Sequence, residues 1–243
     1  MTAPLPDYQE AIDAAISPAW ARTPSIRVDL DDARNRILAE PLVADRDIPP
    51  FNRAAMDGYA IRHDDLSINE PIECGRFISA GTMSDTETPP GSCVRIATGA
   101  PVPPDLDTVV PHELSDRAEP VTFHTSVDRG NAIHSQGSDA RIDDIIFAAG
   151  TNLQSVELGL AAMIGRTSLL VHRPARIAIV TSGDEIVPVD HRPEIHQVRN
   201  SNLIMVADLL ARMGGDVVSK QWVPDDEAVT MEAITRDDVD MVV

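Results

Sequence analysis

Asp45-Arg46-Asp47-Ile48-Pro49-Pro50-Phe51-Asn52-Arg53-Ala54-Ala55-Met56-Asp57-Gly58-Tyr59-Ala60-Ile61-Arg62 is the stretch on which the reading of this chain turns. Pro49 and Pro50 each fix φ and lack an N–H, so the backbone there is stiff and extended. Asp57-Gly58 then supplies a turn, because glycine tolerates φ > 0 and aspartate can accept from its own backbone two residues on. A carboxylate is thus held at a tight bend between a rigid arm and the short apolar run Tyr59-Ala60-Ile61. On local pattern alone, a linker ending in a hairpin turn is the simpler reading.

Working outward, residues 68–133 are short runs of β-formers broken by Pro, Gly, Asn and Asp. Candidate strands are 72–78, 93–96, 108–110 and 121–123, with a turn at Asp128-Arg129-Gly130-Asn131. Upstream, Asp7 is placed to cap a helix with the apolar face Tyr8, Ala11, Ile12, Ala15 and Ile16, which Pro18 ends. An extended piece, 26–28, precedes a second helix that Asp31 caps, with Ala33, Ile37 and Leu38 inward. Helix returns at Ser155 as N-cap, with Val156, Leu160, Met163 and Ile164 on one face and Gly165 at the C-terminal cap. The all-β unit therefore reads as an insertion in a helical domain.

After Pro174 comes a fully apolar run, 177–180, too short for a helix and suited to a buried parallel strand. Asn200 or Ser201 caps a helix with Leu203, Val206, Ala207, Leu210 and Met213 inward, stopped by Gly214-Gly215. Strand 217–222, helix 227–236 and strand 239–243 follow, a βαβαβ order that implies a parallel sheet with right-handed crossovers. The expected fold class is multidomain α+β. A helical domain (1–46 with 140–173) carries an inserted all-β domain (47–139), and an incomplete α/β domain (174–243) follows. Ligands of such sheets bind beyond the carboxyl ends of the strands, here Thr181-Ser182-Gly183-Asp184-Glu185 and Pro224-Asp225-Asp226.

The chain has 243 residues, 43% of them hydrophobic, enough for a large core and without an apolar run that spans a bilayer. Its start lacks the basic and apolar regions of a signal peptide, so a cytoplasmic protein without a membrane role is expected. A formal net charge of −19 argues against nucleic-acid binding, because few cations remain to neutralise phosphates. Lys220 is the sole lysine. Cys74 and Cys93 have neither CxxC spacing nor a nearby His pair, and read as reduced core thiols. His63, His112, His124, His172, His191 and His196 show no HxH or HExxH spacing.

The segments Asp47-Ile48-Pro49-Pro50-Phe51 and Ala55-Met56-Asp57-Gly58-Tyr59-Ala60 resemble the signature of the MoeA family, the molybdopterin molybdenumtransferases, which include the E-domain of gephyrin. Three further segments agree in order: Arg95-Ile96-Ala97-Thr98-Gly99-Ala100-Pro101-Val102-Pro103, Thr181-Ser182-Gly183-Asp184-Glu185-Ile186, and Asn200-Ser201-Asn202 opening a helix. The resemblance implies that the α/β domain is of MogA-like, molybdopterin-binding type. It implies insertion of molybdate into the dithiolene of adenylylated molybdopterin, with release of AMP and help from Mg²⁺. Asp57, Thr98, Asp139, Glu185 and Asp225 fall on its catalytic positions. Gly99, Ser182, Gly183, Asp184 and Asn202 fall on binding positions, and Glu185 with Asp225 on the metal. Thr98-Gly99 would offer a hydroxyl and exposed N–H groups to an anion.

Four of these residues have a plainer alternative. Glu185 and Asp225 are also placed to cap helices, Thr98 to be a turn hydroxyl, and Asn202 to cap its own helix. The chain departs from the family at His134, where arginine is usual three residues before Gly137, and at Ala54, where serine is common. Neutral imidazole holds an anion less well than guanidinium. The family also implies a homodimer in which the β unit of one subunit faces the α/β domain of the other. It further implies a MogA-like adenylyltransferase and molybdoenzyme-maturation proteins as partners. Its members continue past the position of Val243 with a glycine-rich turn, so the chain reads as a truncated form that does not turn over by itself. The competing functions are a non-catalytic dimeric scaffold module for cofactor assembly and an unrelated acidic α/β protein.

Overall fold

Asp7 caps the first helix, α1 (Tyr8–Ala15), through a reciprocal pair of bonds. Asp7 Oδ1 accepts from the Glu10 amide at 2.8 Å, and Glu10 Oε2 accepts from the Asp7 amide at 3.1 Å. The structure, a computed structural model, describes residues 7–15, 22–83 and 86–243. Ile16, expected on the apolar face, and Pro18, expected to end the helix, lie outside the described residues. The chain divides into two compact units, one of Leu42–Ile146 and one of the flanking residues up to Pro41 and from Phe147 to Val243.

The extended piece after α1 is strand β1 (Ser25–Asp29). The second helix expected from Asp31 is not present: Leu30–Asp32 make a single 3-10 turn, and Ile37–Leu38 are strand β2. Asn35 is left-handed, with φ 60°, which breaks helical continuity. Leu38 does point inward, but by strand pairing with Val171, a partner no local pattern reveals.

From Leu42 to Phe147 the strands are β3 (Leu42–Val43), β4 (Arg53–Ala54), β5 (Gly58–Ile61), β6 (Pro71–Ile78), β7 (Ser92–Ile96), β8 (Thr108–Pro111), β9 (Val121–Thr122), β10 (Ile133–His134) and β11 (Ile145–Phe147). Five of them form a sheet in the order β8-β5-β7-β6-β9, in which β6 and β7 alone run parallel. The four expected strands and the 128–131 turn are all there; the Asn131 amide donates to the Asp128 carbonyl at 3.1 Å. Side chains alternate strictly between two cores. Tyr59, Ile61, Cys93, Val110 and Phe123 fill one, while Ala60, Val94, Ile96 and Val109 fill the other. Both faces of the sheet are covered, which is why β5 and β8 read as continuous apolar runs.

The chain then returns as α2 (Ser155–Met163), capped one residue earlier than expected. Gln154 is the cap, with the Glu157 carboxylate accepting from its amide at 2.9 Å. Ala161 and Ile164 form the buried face, with Gly165 closing the helix at φ 75°, whereas Val156 and Met163, expected inward, are exposed. Strand β12 (Ser168–His172) follows and lies between β1 and β2 in an antiparallel sheet. The segments expected to be helical thus carry strands as well, because β12 supplies distant hydrogen-bond partners for residues 25–29 and 37–38.

The remainder is β13 (Arg176–Ser182), β14 (Ile186–Val187), β15 (Val198–Arg199), α3 (Ser201–Arg212), β16 (Asp216–Val223), α4 (Glu227–Ile234) and β17 (Met241–Val242). The expected βαβαβ order is present, and β13 lies between β16 and β17 with all pairs parallel. Helix α3 covers the Ile177 and Ile179 face through Leu203, Val206, Ala207 and Leu210, while Met213 is exposed, against expectation. Right-handed crossovers to opposite sides of β13 put α3 and α4 on opposite faces. A sheet with sequence order 2-1-3 has its topological switch beside the first strand, at the carboxyl end. Among the described residues no helix is long and apolar enough to cross a membrane.

Candidate functional site

In the β unit the opening stretch ties down two loops, the one after β7 and the one after β10. Asp47 accepts from the Ile142 amide at 3.0 Å and from Gln136 Nε2 at 2.9 Å. The Pro49 and Ile48 carbonyls accept from the Gly137 and Asp139 amides, at 3.0 and 2.9 Å. Asn52 Oδ1 takes the Gln136 amide at 2.8 Å. The Ala54 amide donates to Ala100 and its carbonyl accepts from Gly99. These bonds hold Asp139, exposed at the surface, against the Ile48-Pro49 end of the arm.

Asp57 and Thr98 are brought together directly. The Thr98 amide and hydroxyl both donate to Asp57 Oδ1, at 2.7 and 2.8 Å. The amide bond, then the hydroxyl bond, hold the Asp57 carboxyl below the usual carboxylate range, with a smaller contribution from His112. Asp57 is therefore an exposed carboxylate kept ionised at neutral pH. The N–H groups expected to be open to an anion are engaged instead: Thr98 donates to Asp57, and Gly99, at φ 80°, donates to the Ala54 carbonyl at 2.8 Å.

The arginine missing at His134 has a neighbour that the sequence reading passed over. Strand β10 pairs His134 with Arg53 of β4, and Arg53 Nη2 lies 3.4 Å from His134 Nδ1. A guanidinium thus stands in the same exposed place, supplied across the sheet. Only strand pairing could have revealed it.

In the other unit, β13 and β16 end side by side, with Ser182 opposite Val223. Trp222 Nε1 donates to the Gly183 carbonyl at 2.9 Å, and the Asp225 amide donates to Asp184 Oδ1 at 3.2 Å, so the two strand-end loops are joined. Gly183 has φ 144°, and a Cβ there would stand 2.7 Å from Glu185 Oε2; the glutamate folds back over bare backbone. Glu185 and Asp225 are both exposed. Neither caps a helix. The cap of α4 is Asp226, which accepts from the Val229 amide at 2.9 Å. The cap of α3 is the buried Asn200, which accepts from Leu203 and donates to Thr181 Oγ1 at 2.9 Å. Asn202 sits exposed in the first turn of α3 without the capping role.

Among the described residues no group of three His, Cys, Asp or Glu is arranged to hold a metal. Mg²⁺ is typically held by one or two carboxylates together with substrate phosphates rather than by an all-protein cage. A cavity of about 460 Å³ lies at the opposite end of the sheet, lined by Arg36, Arg173, Arg212 and Met241 among others, and none of the expected site residues lines it.

The fold is mixed α/β with several sheets, and its exposed carboxylates sit at a β bend and at parallel strand ends. Residues 4–165 match the MoeA N-terminal region (domain I and II), and residues 178–243 match a probable molybdopterin binding domain. The chain belongs to the MoeA family. It is 28% identical over 214 residues to a molybdopterin molybdenumtransferase of Synechocystis sp., covering 86% of this chain and 55% of that protein. It is 31% identical over 203 residues to the one of Haemophilus influenzae, covering 83% and 50%. The crystal structure of a molybdopterin biosynthesis moeA protein from Pyrococcus horikoshii superimposes with a TM-score of 0.79 at 26% identity, over 90% of this chain and 60% of that one. The chain spans about half the length of the curated relatives it matches.

Proposed function

We propose that this chain supplies cofactor-facing walls of a molybdenum-insertion enzyme, in which molybdate enters the dithiolene of adenylylated molybdopterin and AMP leaves. Glu185 and Asp225 would hold Mg²⁺, whose role when bound is to neutralise the pyrophosphate. The single observation that carries this reading is that both carboxylates lie in the loops just beyond the carboxyl ends of adjacent parallel strands, exposed and free of capping work. Asp184 orients the loop of Asp225 through its amide, and Gly183 makes room for the Glu185 side chain. Ser182 and Asn202 stand at the same strand ends, within the region where nucleotides bind in such sheets. In the β unit, Asp57 is kept ionised by Thr98, and Gly99 shapes that turn. Asp139 adds a second exposed carboxylate. These groups act by position and charge, since the chemistry is exchange at phosphorus and sulfur rather than at the protein. We assign the chain to a homodimer that works with a MogA-like adenylyltransferase and molybdoenzyme-maturation proteins.

Calorimetric titration of this chain with adenylylated molybdopterin, with and without Mg²⁺, tests the reading. Glu185→Ala and Asp225→Ala should each weaken the Mg²⁺-dependent binding about tenfold or more, equivalent to about 1.4 kcal/mol. Unchanged affinity in both variants would overturn the metal assignment and favour a non-catalytic scaffold role.

A further inference from the structure

Cys74 and Cys93 are direct partners in register across the parallel pair β6 and β7. Both face the core of Tyr59, Ile72, Val121 and Phe123. Neighbouring strands lie about 4.8 Å apart, and a disulfide spans Cα separations of about 4.4–6.8 Å. The register of β6 shifts immediately after Cys74, and Gly75, with no side chain, follows it. The backbone therefore has slack where the two sulfurs must close. Cys93 is buried and Cys74 half-buried, so a small solute reaches one thiol before the other.

We propose that Cys74 and Cys93 form a peroxide-reactive dithiol that closes into an intrachain disulfide across β6 and β7. The adjacent Cys93 thiol lowers the Cys74 pKa, and the same neighbour, then burial, raise that of Cys93; the Cys74 thiol itself points to the Gly75 carbonyl at 3.9 Å. Thiolate character thus collects on the accessible sulfur, as an attacking cysteine requires. The Cys74 thiolate attacks one oxygen of hydrogen peroxide, the O–O bond breaks, and the hydroxide released takes a proton to become water. Cys74 is then a sulfenic acid. The Cys93 sulfur attacks it, the S–O bond breaks, and the second water leaves with the Cys93 proton. Two thiols and one peroxide give one disulfide and two waters. Strand β7 runs on through Ala97 to Thr98, so the cross-link would anchor the strand that presents the partner of Asp57. The inference stands independently of the function proposed above.

The test treats the whole chain with hydrogen peroxide, then measures intact mass and thiols titratable after denaturation. The expected result is a monomer lighter by two hydrogen atoms, loss of both thiols, and recovery of both with dithiothreitol. In Cys93→Ala, dimedone should trap a sulfenic acid on Cys74, and circular dichroism establishes that this variant is folded. Survival of both thiols in the treated wild type would overturn the proposal. So would a disulfide between chains, or oxidation of Cys74 to the sulfinic acid while Cys93 stays free.

Discussion

Gly58 shows how one residue can be read correctly as glycine for the wrong reason. In the sequence it stands after Asp57 as a turn glycine. In the structure its Cα faces the β8 backbone, and an added Cβ would lie 2.2 Å from the Val110 carbonyl oxygen. Backbone cannot yield as a side-chain tip can. Gly58→Ala should therefore cost about 3 kcal/mol, the upper end of overpacking penalties, read from the urea midpoint. Asp240 gives a second test at this scale. Arg173 donates to both its carboxylate oxygens, at 2.5 and 2.8 Å, and the Arg176 amide donates at 2.7 Å. These bonds, the Arg173 contact first, lower its pKa from 3.8 to about 2. A depressed carboxylate stabilises the fold fully above its unfolded pKa and loses that contribution as pH falls through the folded one. The thermal midpoint of the wild type should thus fall more steeply than that of Asp240→Asn between pH 3.8 and about 2. Parallel curves would remove Asp240 from the pH dependence.

At the scale of elements, capping chemistry separates structural residues from candidate ligands. Asn200 ties the start of α3 to Thr181 at the end of β13. Asn200→Ala should cost about 1–2 kcal/mol in chemical denaturation. Asp225→Ala, one residue before the cap of α4, should stay within about 0.5 kcal/mol, because Asp226 holds the helix. Equal losses in the two variants would mean that Asp225 is structural after all. Helices α1 and α3 were legible because their caps and periodicity lie within a few residues. Strand β2 was not, since its hydrogen bonds go to β12 more than a hundred residues away, and its short apolar pattern fits a helix equally well. The pairing of Arg53 with His134 escaped for the same reason.

At the scale of the whole molecule, the β unit rests on its two-sided core. Phe123, fully buried against Tyr59 at 5.6 Å between ring centroids, is the test position. Phe123→Ala should cost about 3–5 kcal/mol, measured by denaturant unfolding. The exposed apolar side chains of Tyr8, Val156 and Met163 lie on helices α1 and α2. A homodimer that buried them would give a light-scattering mass of about twice 26.3 kDa at micromolar protein, and a mass of one chain would refute it. By itself the sequence determined the family motifs, the β texture of the inserted segment and the parallel βαβαβ order. All of these are written in runs of neighbouring residues, where period, turn chemistry and caps act locally. Only the tertiary structure decided that the Thr98 and Gly99 amides are engaged and that Asp226 frees Asp225 from capping. It also decided that Cys74 faces Cys93 and that Arg53 stands beside His134. Each of these depends on which strand lies next to which, and that is set by long-range hydrogen bonding and two-sided burial that no window of sequence contains.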